Sequence, residues 1–150
     1  MAGHRLLLIR HAKTEQGAPD EARQLTDRGR RDAAAVGDWL REQNVVPDLV
    51  VVSPATRATQ TWELTDIDVK SEVDARVYDN TMSDLLDIMR AADESVPTLA
   101  IVGHNPSIEA FTARHGGPEE ISTGSVVVFA VDGTWADGQP RCVEVNACRG

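Results

Sequence analysis

The chain is expected to fold as an α/β protein: a three-layer α/β/α sandwich whose mostly parallel sheet ends in an antiparallel C-terminal edge. Three observations predict this. Short apolar runs at Leu6 to Ile9, Asp48 to Val52 and Thr98 to Val102 are too brief for helices and read as buried strands. Stretches with helical apolar spacing and recognisable caps lie between them. Near the C-terminus, "SVVVFAVDGTW" and "RCVEVNA" succeed one another with no helix between. Strands separated by helices pair in parallel, and consecutive strands joined by a turn pair antiparallel.

Each element has its own warrant. Thr26 is placed to cap a helix over 27–43, in which Ala33, Val36 and Leu40 share one face and the charged residues take the other. Pro47 breaks the chain before the second strand. Ser53 and Pro54 form a cap-then-proline helix start, and Ala58 and Trp62 face the core from the helix they begin. A short strand is expected around Val73 to Tyr78. Ser83 is read as the cap of a helix with Leu85, Leu86 and Met89 as its apolar stripe. Asn105 and Pro106 repeat the cap-proline signature after the third strand, and Gly116 or Gly117 ends that helix. Asp132-Gly133 is a turn beginning between the last two strands.

The 150 residues suit one domain with a single good core, and 41% apolar with 26% charged residues describe an ordinary globular protein. A net charge of -9 argues against nucleic acid or anionic membrane as partner. The longest apolar run, Val126 to Val131, is far short of a membrane span, and "MAGHR" leads into no signal-peptide core, so a cytoplasmic address is expected. Cys142 and Cys148 have no metal-ligand spacing and read as reduced structural thiols.

Polar residues gather where strands end. The first strand ends in Arg10-His11, the second leads to Ser53 and the helix carrying Arg57, and the third ends in Gly103-His104-Asn105. Ligands of open parallel sheets sit beyond the carboxyl ends of the strands, and helix N-termini facing that rim favour anions. If the strands adjoin, two arginines and two histidines converge on a site for a dianionic phosphoryl group. His4, His115 and the Arg28, Arg30, Arg31 run have no such placement and read as surface residues. The loop "KTEQGAPDEARQL" reads as plain surface. A flavodoxin-like nucleotide site is disfavoured, because "RHAKTEQG" replaces the glycine-rich loop it would need after the first strand.

The segments "LIRHAKT", "LTDRGRRDAAAVGDWL", "PDLVVVSPATRATQT" and "IVGHNPSIE" resemble the histidine phosphatase superfamily, and most closely its short SixA-like phosphohistidine phosphatase branch. "ISTGSVVVF" resembles that branch's late strand. The resemblance implies a phosphoglycerate mutase-like fold and a metal-independent phosphatase needing no cofactor. It implies His11 as the nucleophile, with Arg10, Arg57 and His104 binding the phosphoryl oxygens and Asn105 adding a backbone donor. Ala12 stands where the superfamily has glycine. The proton donor of larger members aligns with Asp79, with Asp74 the next candidate. A weak or missing acid fits phosphohistidine, whose imidazole leaves easily, better than a sugar phosphate. The expected partner is thus a phosphorylated protein, met by a monomer. The alternatives are a small phosphometabolite as substrate, or a phosphate-binding module without turnover.

Overall fold

The structure is a computed structural model that describes residues 3–78 and 81–150. Among these residues six strands form one sheet: β1 (His4–Arg10), β2 (Leu49–Val52), β3 (Lys70–Val73), β4 (Thr98–Gly103), β5 (Ser125–Val131) and β6 (Pro140–Ala147). The spatial order is β3-β2-β4-β1-β5-β6. The first four in that order run parallel, and β5 and β6 add antiparallel strands at one edge, as the sequence predicts.

Alternation along β1 sets the layers. Leu6 and Leu8 face one side of the sheet and Leu7 and Ile9 the other, and all four are fully buried. Helices α1 (Asp27–Glu42) and α2 (Thr56–Glu63) cover the Leu7 face through Val36, Leu40, Ala58 and Trp62. Helices α3 (Met82–Arg90) and α4 (Ser107–Arg114) cover the other through Leu85, Ile88, Met89, Ile108 and Phe111. Burial on both faces is why these strands read as continuous apolar runs rather than alternating ones. Each large side chain removed from water contributes roughly 1.5–3 kcal/mol, so β1 is a firm base for the Arg10-His11 pair at its end.

Thr26 caps α1 as expected, its hydroxyl accepting the Gly29 N–H at 2.9 Å. Gly29 lets α1 press against the chain after β1: a Cβ there would lie 2.1 Å from the Lys13 carbonyl oxygen.

Several local expectations are corrected. The α2 helix begins at Thr56, so Ser53 and Pro54 lie in the approach to it, and Ser53 has another partner. Thr81 caps α3 in a reciprocal box with Asp84, while Ser83 lies inside the helix. Ile88 joins its buried stripe and Leu86 is only partly buried. The strand expected at 73–78 is instead the end of β3 and then a 3-10 turn, Ala75–Val77. The α4 helix starts at Ser107 without a side-chain cap, the Asn105 side chain being engaged elsewhere. Strand β5 stops at Val131, and Trp135 is buried beyond it, donating its indole N–H to Val96. His4 is nearly enclosed rather than on the surface, stacking on Trp135 and hydrogen-bonded to the carbonyls of Gly133 and Glu94. His115 is half-buried against Phe111. Arg28, Arg30 and Arg31 are exposed, as read.

Candidate active site

The order β2-β4-β1 brings the three predicted strand ends side by side. Arg10 pairs in register with Gly103, and Val52 with Val102. The parallel ladder continues past each strand: His11 donates its N–H to Gly103 and Ser53 donates to Val102. Arg10, His11, Arg57, His104 and Asn105 therefore line one cavity of about 350 Å³, together with Lys13, Thr14, Gln16, Arg23 and Thr123.

The backbone carrying His11 is held from three elements. Besides the bond to β4, Gly124 donates to the carbonyls of Arg10 and His11, and Ala12 donates to the Thr61 hydroxyl on α2 at 3.0 Å. Thr61 in turn donates to the Arg57 carbonyl at 2.7 Å. The His11 ring donates from Nδ1 to the Ala12 carbonyl at 2.8 Å. That bond fixes the tautomer, so the lone pair sits on Nε2, which has no hydrogen-bond partner among the described residues. The side chain is 7% exposed, and this burial, with the fields of Arg10, Arg57 and Arg23 adding to it, lowers its pKa to about 4. His11 is therefore neutral at neutral pH, with its lone pair on Nε2.

His104 lies with its ring centroid 5.2 Å from that of His11. Its Nε2 is hydrogen-bonded to the Ser53 hydroxyl at 2.8 Å, and its Nδ1 is buried without a partner among the described residues. Burial first, then the neighbouring His11 and Arg57, lowers its pKa to about 3. An arriving dianion reverses that balance, because opposite charge favours the imidazolium.

Arg10 donates to the Ile121 carbonyl at 2.8 Å, and the Asn105 amide donates to the same oxygen. The Ile121 N–H is held by the Glu109 carboxylate. Desolvation lowers the Arg10 pKa against the pull of Glu109. Arg57 is 6% exposed. The Nε atoms of Arg10 and Arg57, and the Asn105 Oδ1, are buried without partners among the described residues. The two open Nε–H groups are donors, costly to leave unfilled, and a tetrahedral oxyanion supplies the acceptors they need, whereas Asn105 Oδ1 is itself an acceptor.

The loop read as plain surface is a wall of the site. Thr14 bridges to Leu25, and Asp20 reaches across to Arg57, Arg23 and Tyr78. Tyr78 stands edge-on to His104, 5.9 Å between centroids. Asp20, Thr61, Tyr78 and the Ser53 role went unread, since each acts through a contact between residues far apart in sequence. The only sequence signal was the polar content of the loop beside the Arg-His pair.

Asp79, the first candidate proton donor, lies outside the described residues. Asp74 is placed away from the cavity, lining a groove along β3 and α3. Its carboxylate accepts from Arg76 through both oxygens, which lowers its pKa and keeps it ionised. It does not line the cavity that holds His11. The Asp20 carboxylate is held at about 2 by the Tyr78 hydroxyl and then by Arg57, so it is ionised as well. Among the described residues no group of three or more His, Cys, Asp or Glu is placed to hold a metal, and no helix is long and apolar enough to cross a membrane.

Comparison with known proteins agrees with this arrangement. The sequence model of the histidine phosphatase superfamily (branch 1) matches residues 6–83. The uncharacterized protein Rv1276c of Mycobacterium tuberculosis is 34% identical over 148 residues, covering 89% of this chain and 94% of that protein. A structure assigned as phosphohistidine phosphatase SixA of Nakamurella multipartitia superimposes with a TM-score of 0.90 at 27% identity, over 99% of this chain and 98% of that one. The protein histidine phosphatase SixA complexed with tungstate shares the fold, with a TM-score of 0.85 at 22% identity over 95% and 96% of the two chains. By its sequence match, its phosphoglycerate mutase-like architecture and the residues converging at its strand ends, this chain belongs to the histidine phosphatase superfamily.

Proposed function

We propose that this protein is a phosphatase that works through a covalent phosphohistidine on His11 and removes phosphate from phosphohistidine in a protein. The observation that carries the reading is the tautomer of His11: Nδ1–H is spent on the Ala12 carbonyl, leaving the Nε2 lone pair beside open guanidinium donors.

In the first step Nε2 attacks phosphorus, the bond from phosphorus to the leaving nitrogen breaks, and that nitrogen keeps the electron pair. A leaving imidazole whose other nitrogen is protonated departs neutral, so no acid is needed. In the second step water attacks phosphorus, the bond to His11 breaks, and inorganic phosphate leaves with neutral His11 restored. Charge on the equatorial oxygens is met by Arg10, Arg57 and His104, the last turning cationic as the dianion binds. These residues supply positioning and charge neutralisation without a cofactor.

Two features support phosphohistidine over a sugar phosphate. The carboxylates described near the site are ionised by their partners, which suits a leaving group that needs no proton. The chain between α2 and β4 is taken up by β3, the 3-10 turn and α3, the last packed on the sheet. Among the described residues none from that stretch lines the cavity, which suits a side chain on another protein as substrate. Similarity to the SixA structure points the same way.

The test is phosphate release in chelator from an aryl phosphate, from a phosphohistidine peptide and from a sugar phosphate, for wild type and His11→Ala. The expected result is wild-type activity on the first two that vanishes in the variant. Turnover of the sugar phosphate with none of the peptide would move the substrate to a small metabolite. Phosphate binding without turnover would make the protein a binding module.

A further inference from the structure

Asp20 sits at the centre of a cluster that joins two otherwise separate parts of the site. Its backbone carbonyl accepts from Arg57 Nη1 at 2.8 Å, and its Oδ2 accepts from Arg57 Nη2 at 3.1 Å. Its Oδ1 accepts from Arg23 Nε at 3.1 Å. The Tyr78 hydroxyl donates to Oδ2 at 2.6 Å, and the Arg57 guanidinium lies 5.9 Å from the centre of the Tyr78 ring. One ionised carboxylate thus holds two guanidiniums that both line the cavity.

The direction of approach decides what this does. Arg23 and Arg57 line the cavity, whereas Asp20 and Tyr78 do not. Asp20 grips the outer Nη groups and leaves the buried Arg57 Nε open. A carboxylate on the far side of a guanidinium orders it without occupying the ligand's place. An arginine ordered before binding loses less freedom on binding, and the anion gains its hydrogen bonds at lower entropic cost.

We propose that Asp20 is a positioning residue that pre-orders Arg57, and with it Arg23, for the phosphoryl group. This rests on the reading of the cavity as a phosphoryl site. The contrasting role, a built-in plug, has the Asp20 charge repelling the incoming dianion. The two roles predict opposite signs, since removing a plug tightens anion binding and removing a positioning group weakens it.

The experiment is calorimetric binding of inorganic phosphate to wild type, Asp20→Ala, Arg57→Ala and the double variant, with Asp20→Asn as a variant of the same shape. Asp20 is half exposed at the start of a short 3-10 turn, Asp20–Ala22, and thermal melts verify that each variant is folded. The expected result is about tenfold weaker binding in Asp20→Ala, which keeps the backbone carbonyl's bond to Arg57 and loses the carboxylate's charged bonds to Arg57 and Arg23. Asp20→Asn, which keeps one carbonyl acceptor, falls between it and wild type. In the Arg57→Ala background, adding Asp20→Ala changes binding by less than about twofold, because most of the effect passes through Arg57. Tighter binding in Asp20→Ala, or an equal loss in both backgrounds, overturns the role. A wild type that binds no phosphate overturns it together with the clamp. A wild type that binds phosphate but releases none from an aryl ester overturns the phosphatase reading and leaves the binding comparison intact.

Discussion

The Ser53 hydroxyl and His104 Nε2 lie 2.8 Å apart, both buried, and join the end of β2 to the end of β4. Ser53 also accepts the Ala55 N–H at 3.2 Å, so one hydroxyl sets both the approach to α2 and the plane of the His104 ring. Ser53→Ala leaves Nε2 without its partner, a loss of about 1–3 kcal/mol for a buried polar group. The expected outcome is a lower melting temperature and about tenfold lower kcat/KM on an aryl phosphate. Unchanged kinetics in a folded variant would show that His104 is oriented by packing alone.

Thr61 links α2 to the backbone beside His11, taking the Ala12 N–H and donating to the Arg57 carbonyl. Thr61→Val keeps the shape and removes both bonds. Stability falls by about 1–3 kcal/mol, read as a shift in urea midpoint at constant slope. The proportional loss of kcat/KM should exceed that of a core variant of equal stability, and equality between the two would mark Thr61 as structural only.

The buried histidines make stability depend on pH. The unfolded chain gains protons as pH falls below about 6.5, whereas native His11 stays neutral down to about 4 and His104 to about 3. Protons therefore favour the unfolded chain in that window: stability is full above 6.5 and declines toward pH 4. Half-buried His115, also shifted down by desolvation, adds in the same direction. Urea midpoints from pH 8 to pH 4.5 should fall, and the fall should be smaller in His11→Gln/His104→Gln. An identical slope in both proteins would mean these rings titrate normally.

Gly124 has φ +71, and its N–H holds the Arg10 and His11 carbonyls. A Cβ there would also meet Arg149 Nη1 at 3.3 Å. Gly124→Ala is expected to cost about 1–2 kcal/mol of stability through the left-handed backbone. It should lower phosphate affinity too, because the turn supports Arg10. Native affinity in this variant would separate the turn from the site.

The layers were legible because burial on both faces of a parallel sheet leaves a mark in the chain. Leu6 to Ile9 and Thr98 to Val102 cannot be mistaken for surface. Helix starts were less legible. The Ser53-Pro54 and Asn105-Pro106 pairs have cap chemistry, yet α2 and α4 begin later because Ser53 and Asn105 bond to His104 and Ile121 instead. Local propensity is weak against a tertiary hydrogen bond in a buried site.

By itself the sequence determined the α/β architecture and the three strand ends, and it singled out Arg10, His11, Arg57 and His104, which the structure gathers around one cavity. Only the tertiary structure decided the order β2-β4-β1 that makes those ends neighbours, and the loop path that brings Asp20 to Arg57 and Tyr78. The physical reason is range. Periodicity and capping act over a few residues, whereas strand order and a carboxylate bridging residues 20, 57 and 78 are settled by packing the whole chain at once.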